Sequence, residues 1–104
     1  MTVWFNVEKA WLYLLSYGEV YTIRPNKKVN GVHRLRSNFT QERMHCTCQF
    51  ITEIEIREKG SLKQLDQYVD KSGFSSVEEW IDHIPKKKLI MRLYHVRLCD
   101  FNEK

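Results

Sequence analysis

Glycine and proline are scarce in this chain, four and two among 104 residues, which excludes a collagen-like or low-complexity segment. No apolar run approaches the roughly 18 to 20 residues of a membrane-spanning helix. The opening MTVWFNVEK also lacks the basic start, greasy stretch and cleavage site of a secretory signal. A membrane location is therefore not expected. Cysteine is limited to three, an odd number, and two of them stand as Cys46-Thr47-Cys48, too close for an ordinary structural disulfide. That usage fits a reducing, cytoplasmic setting. No Gly-rich phosphate loop, serine nucleophile elbow or H-E-x-x-H string occurs, which removes the usual nucleoside-triphosphate and hydrolase chemistries.

What is there amounts to one domain, residues 1–104, long enough for a single core and too short for two. Seventeen Lys and Arg face thirteen acids, a net charge of +4 that suits a polyanionic partner without requiring one. The charges segregate. Residues 19–48 carry Arg24, Lys27, Lys28, Arg34, Arg36 and Arg43 against Glu19 and Glu42. Residues 60–85 carry Lys63 and Lys71 against Asp66, Asp70, Glu78, Glu79 and Asp82, and the stretch beyond them is basic again.

Hydrophobic periodicity gives the order of elements. A β-prone start at 3–5 precedes a helix at 7–17, where Val7, Ala10, Trp11, Leu14 and Leu15 share a face and Gly18 ends it. Strands follow at 19–24, stopped by Pro25, and at 32–36. From Met44 to Ile56 every even position is apolar or nearly so, which predicts a long strand buried on one face and bent or bulged to wrap a small barrel. Ser61 with Gln64, and Ser75 with Glu78, have the form of capping boxes opening two helices, separated by Gly73. The last strand, 89–98, is apolar on both alternating sets, the mark of a central strand. The expected fold is α+β, an open barrel with flanking helices in the order β-α-β-β-β-α-α-β.

Three strings then stand out: LLSYGEVYTIRP at 14–25, GFSSVEEWI at 73–81 and LIMRLYHVRL at 89–98. Together with the element order they resemble the ASCH family, a branch of the PUA-like barrels associated with RNA. The resemblance implies a PUA-like open β-barrel and an RNA-binding role for the cleft between barrel and helices. Some ASCH relatives are amidohydrolases of acetylated cytidine. In those relatives a Lys lies five residues before the motif Arg, a Thr two before it, and a Glu comes from the later helix turn. Aligned on Arg24, Thr22 keeps the Thr position, but Glu19 stands at the Lys and the Glu position falls near Ser72. Without an amine to activate Thr22 and a carboxylate to move protons, that chemistry lacks its helpers. No catalytic residue is assigned.

Arg24 leads the candidates, because it ends a strand at the barrel mouth where a planar guanidinium can grip phosphate or a base edge; the alternative is an internal pair with Glu19. Thr22 falls on the same strand side as Arg24, and Glu19 and Tyr21 are included as hydrogen-bonding and stacking groups. Lys27, Lys28, Arg34, Arg36 and Arg43, with Lys86, Lys87 and Lys88, supply a basic rim for phosphates. Trp11 and Trp80 belong to apolar stripes, whereas Trp4 is open for stacking. His45, Cys46 and Cys48 do not make a zinc set, since alternation turns His45 away from the two thiols, and neither metal nor cofactor is expected. The expected partner is RNA or another single-stranded nucleic acid. An ASCH-type enzyme, either a nucleoside amidohydrolase or a ribonuclease, and a protein-docking domain using the acidic residues 61–85, are the alternatives.

Overall fold

Gly18 decides where the first helix stops: its N–H donates to the Leu14 carbonyl at 2.8 Å from a left-handed backbone (φ 78°). The chain thus passes from α1 (Glu8–Tyr17) directly into β2 (Glu19–Arg24). The structure, a computed structural model, describes residues 2–25, 28–84 and 89–99. Its remaining elements are β1 (Thr2–Phe5), β3 (Gly31–Ser37), β4 (Thr40–Glu55), α2 (Lys59–Lys63), α3 (Val77–Asp82) and β5 (Ile90–Leu98). Two single 3₁₀ turns, Gln64–Gln67 and Val69–Lys71, join α2 to the loop before α3. The order is the one the periodicity predicts.

The five strands form one curled half-barrel in the order β1-β3-β4-β5-β2. Only β1 and β3 run parallel. Val3, Phe5, Leu35, Cys46, Cys48, Tyr94, Val96 and Val20 are buried at alternating positions along their strands, which defines the inner face. At Ile51 a bulge lets β4 advance from Phe50 to Thr52 while β5 moves one residue, from Tyr94 to Leu93. Side-chain parity reverses there, so Ile54 and its partner Met91 are buried on the opposite face. Phe50 precedes the bulge and keeps the side of its register partner Tyr94, with its ring edge-on to that tyrosine at 5.9 Å, yet it is 40% exposed. β5 is accordingly buried on both faces, as its two apolar sets require.

The helix starts differ from expectation. The Ser61–Gln64 box does not form: α2 begins at Lys59 with Glu58 as a cap that makes no side-chain bond, and it gives way to 3₁₀ turns after five residues. The second box forms one residue later than expected. Ser76 Oγ accepts from the Glu79 N–H at 3.1 Å, and the Glu79 carboxylate accepts from the Ser75 N–H at 3.0 Å. No helix among the described residues is long and apolar enough to cross a membrane.

Candidate functional site

A half-barrel has two free edges, here β1 and β2, and Arg24 lies where they approach. Its Nε donates to Thr22 Oγ1 at 3.0 Å, confirming the shared side that strand alternation predicts. One terminal nitrogen donates across the seam to the main-chain oxygen of Trp4 on β1, and the guanidinium carbon sits 4.7 Å from the centre of the Phe5 ring. Lys28 Nζ reaches the same edge, 3.3 Å from the Thr2 carbonyl. Two cationic side chains therefore satisfy carbonyls of an edge strand that no neighbour pairs on that side.

Arg24 also lines a cleft of about 260 Å³ between this seam and α3. Its walls are Phe5, Ala10, Phe74, Trp80 and Ile84, with Trp4, Asn6 and His83 at polar or exposed positions. Burial pulls the Arg24 guanidinium down to about 10, so it remains a cation at neutral pH. The internal pair with Glu19 does not exist. Among the described residues, no carboxylate forms an ion pair with Arg24.

Glu19 is taken up elsewhere, because its odd position in β2 projects it to the face opposite Thr22 and Arg24. Its carboxylate accepts from His95 Nε2 at 3.1 Å and from Lys71 Nζ at 3.3 Å. Burial alone would raise this carboxyl, but those two hydrogen bonds and the Lys71 charge prevail and hold it below the usual range. Glu19 is thus not a cleft residue, which corrects the expectation. Glu19 is joined instead to Lys71, whose chain neighbour Ser72 is buried. Tyr21 borders the cleft, but its ring is stacked on His95 (centroids 4.6 Å apart) and packed on Tyr68 (4.8 Å). Lys71 serves Glu19 and Lys28 serves Thr2, and neither makes a hydrogen bond to Thr22.

The basic rim is arranged differently from expectation as well. Arg34, Arg36 and Arg43 do not surround the cleft; they stand on the outer face of β3 and β4, where Arg34 pairs with His45 in register. Arg36 is tethered to the Leu35 and Met44 carbonyls at 2.9 and 3.4 Å. Lys27, Lys86, Lys87 and Lys88 lie outside the described residues. Cys46 and Cys48 are buried on the inner face and His45 is exposed on the outer, and burial pushes the Cys46 thiol up to about 12, far from a ligating thiolate. A second depression, of about 600 Å³, is bordered by Lys28, Phe50, Glu53, Arg92 and Tyr94. Sequence reasoning did not anticipate it. Arg92 and Phe50 are individually visible, but the register that sets Phe50 beside Tyr94 comes from pairing with β5 and leaves no local signal.

One ion pair ties the cleft's walls together. Lys9 on α1 meets Glu79 on α3 at 2.7 Å. That ammonium, with the Ser75 N–H, holds the Glu79 carboxyl down at about 2. A folded-state pKa below the ordinary 4.5 means the tie contributes fully above that value and is lost as pH falls from about 4.5 to about 2. A carboxyl-carbon NMR titration should therefore place the Glu79 midpoint near 2, and Lys9→Met should move it up. An ordinary midpoint in the unmodified protein would show that the pair does not persist in solution.

Compared with protein-family models, curated proteins and solved structures, the chain matches none.

Proposed function

We propose that this chain is a small RNA-binding module of the ASCH-like, PUA-like kind, which holds one nucleotide in the cleft between the half-barrel and α3. The observation that carries the reading is Arg24: a half-buried cation with no carboxylate partner among the described residues, lining a cleft walled by aromatic rings. Such a site favours a flat, electron-rich ligand with acceptor oxygens or phosphate, because the rings supply stacking surface and the guanidinium retains donors for a base edge. A volume of about 260 Å³ lies just below the roughly 300 Å³ where drug-sized pockets begin, which suits one base rather than two. Two of the strings behind the resemblance, YTIRP and GFSSVEEWI, meet at this cleft from opposite walls. The enzyme alternative finds no comparable support, since among the described residues the side-chain hydrogen bond to Thr22 comes from Arg24.

The test is fluorescence titration with a short single-stranded RNA, a double-stranded RNA and a matched DNA at two salt concentrations. Arg24→Lys, which keeps the charge but loses the planar fork, and His83→Ala, an exposed position in the cleft wall, are run beside the parent. Single-stranded RNA is expected to bind best and to weaken with salt. Arg24→Lys should cost about 1 to 3 kcal/mol if the fork reads a base edge. Full affinity in both variants, with melting curves showing them folded, would place the ligand elsewhere. Turnover of an acetylated nucleoside would favour the enzyme reading instead.

A further inference from the structure

The outer face of the half-barrel is not covered evenly. Over β2, the later part of β4 and the earlier part of β5 it is packed against the helical segment, but from β1 through β3 to the first half of β4 it is open. Strand alternation places Trp4, Arg34, Arg36, Arg43 and His45 on this open area, and the register of Thr47 with Arg97 adds Arg97 from β5. These four arginines equal the entire net charge of the chain, +4. None of them forms an ion pair among the described residues, and Glu19, the nearest acid on that side of the sheet in register with Arg97, is already held by Lys71 and His95. A face this uniform in sign is complementary to a chain of phosphates.

Trp4 connects this face to the cleft. Its indole is 48% exposed, yet Nε1 is fixed to Asn38 Oδ1 at 2.7 Å. The residue also borders the cleft, and its carbonyl accepts from Arg24 while its register partner on the open face is Arg36. An exposed ring held in one orientation beside an arginine is a stacking platform prepared in advance, with little ordering left to do on binding.

We propose that the open face is a second nucleic-acid contact: a single strand that leaves its first nucleotide in the cleft stacks the next base on Trp4 and runs its phosphates over Arg36, Arg34 and Arg97. This rests on the cleft reading and extends it from one nucleotide to a strand of several. The partner is therefore a single-stranded oligonucleotide, and the free mononucleotide is only its first part.

The experiment compares nucleoside 5′-monophosphates with a fluorescently labelled ten-nucleotide single-stranded RNA of mixed sequence, using the full chain. The parent is expected to bind the oligomer at least tenfold more tightly than any mononucleotide. The double variant Arg34→Gln, Arg97→Gln alters two exposed side chains that do not line the cleft. It should leave mononucleotide affinity unchanged and lower the salt slope of oligomer binding by about 1 to 1.5, the share of two phosphate contacts on a single strand. Trp4→Ala should weaken the oligomer roughly 5- to 100-fold. Oligomer binding no tighter than mononucleotide binding, or an unchanged slope in the double variant, overturns the proposal while leaving the cleft intact. Oligomer binding that depends on Arg34 and Arg97 but is indifferent to Arg24→Lys and His83→Ala upholds the face and removes the cleft. Equal loss of oligomer affinity for RNA and single-stranded DNA is consistent with a backbone contact and supports it.

Discussion

Arg24→Ala is expected to melt about 10 to 25 °C below the unmodified protein. The guanidinium bridges the two free edges of the half-barrel, and truncation removes its bonds to Thr22 and to the Trp4 carbonyl together with its seat over Phe5. Hydrogen bonds from a charged donor are worth about 1.5 to 3 kcal/mol each, and a cation on an aromatic face adds about 0.5 to 2. Allowing for water that replaces part of the lost bonding, the total is about 2 to 4 kcal/mol. In a domain of this size each kcal/mol corresponds to roughly 4 to 8 °C. Arg24→Lys should recover part of the loss, because an ammonium can still reach the edge carbonyl but cannot lie flat on the ring. Calorimetry decides the matter. If Arg24→Ala melts within two or three degrees of the parent, the seam is held by the sheet alone and Arg24 serves the ligand only.

This double duty explains why the sequence makes Arg24 visible as a candidate while concealing its neighbours. Alternation along 19–24 is a local property, so the shared side of Thr22 and Arg24 can be read directly. The same rule, applied to Glu19, places it on the opposite face, which removes the alternative of an internal Glu19–Arg24 pair. The partners of Glu19 come from residues 71 and 95, more than fifty positions away, and no periodicity within β2 points to them. The long alternation at 44–56 correctly marks a strand that bends. Where its parity reverses is set by pairing with β5, so the burial of Ile54 on the opposite face is not foreseen; the outer basic face, which joins Arg34 to Arg97 through β4, depends on strand order and is not legible at all. Helix starts fail by a turn or less for a related reason. Ser61 and Ser75 have the right chemistry for caps, but Ser76 offers the same hydroxyl one residue on, and packing of Trp80 and Phe74 into the core chooses between them.

The second large effect is expected at Gly73, which packs against α1 beside the cleft. Its backbone is left-handed (φ 89°), and a Cβ there would lie 2.6 Å from the Lys9 carbonyl oxygen, 2.9 Å from that carbonyl carbon and 3.0 Å from Ala10 Cα. All three atoms are main chain of α1, so no side chain can swing aside to make room. The conformation alone costs an L-residue about 1 to 2 kcal/mol, and forcing packed backbone apart costs about 1 to 3 more. Gly73→Ala should therefore lose about 2 to 5 kcal/mol. Gly31→Ala separates the two contributions, since Gly31 also has positive φ (133°) but nothing lies within 4 Å of its added Cβ. Urea titrations of both variants should show the Gly73 replacement the more damaging by at least 1 kcal/mol. Equal losses would mean that α1 yields without cost. The displacement also has a functional consequence, because Ala10 and Phe74, on either side of this contact, line the cleft, and Lys9 anchors it to Glu79. At a temperature where Gly73→Ala is still folded, its affinity for a nucleotide should fall although no atom that touches the ligand has been changed, since the distance between the cleft's two walls is set by the absence of one methyl group.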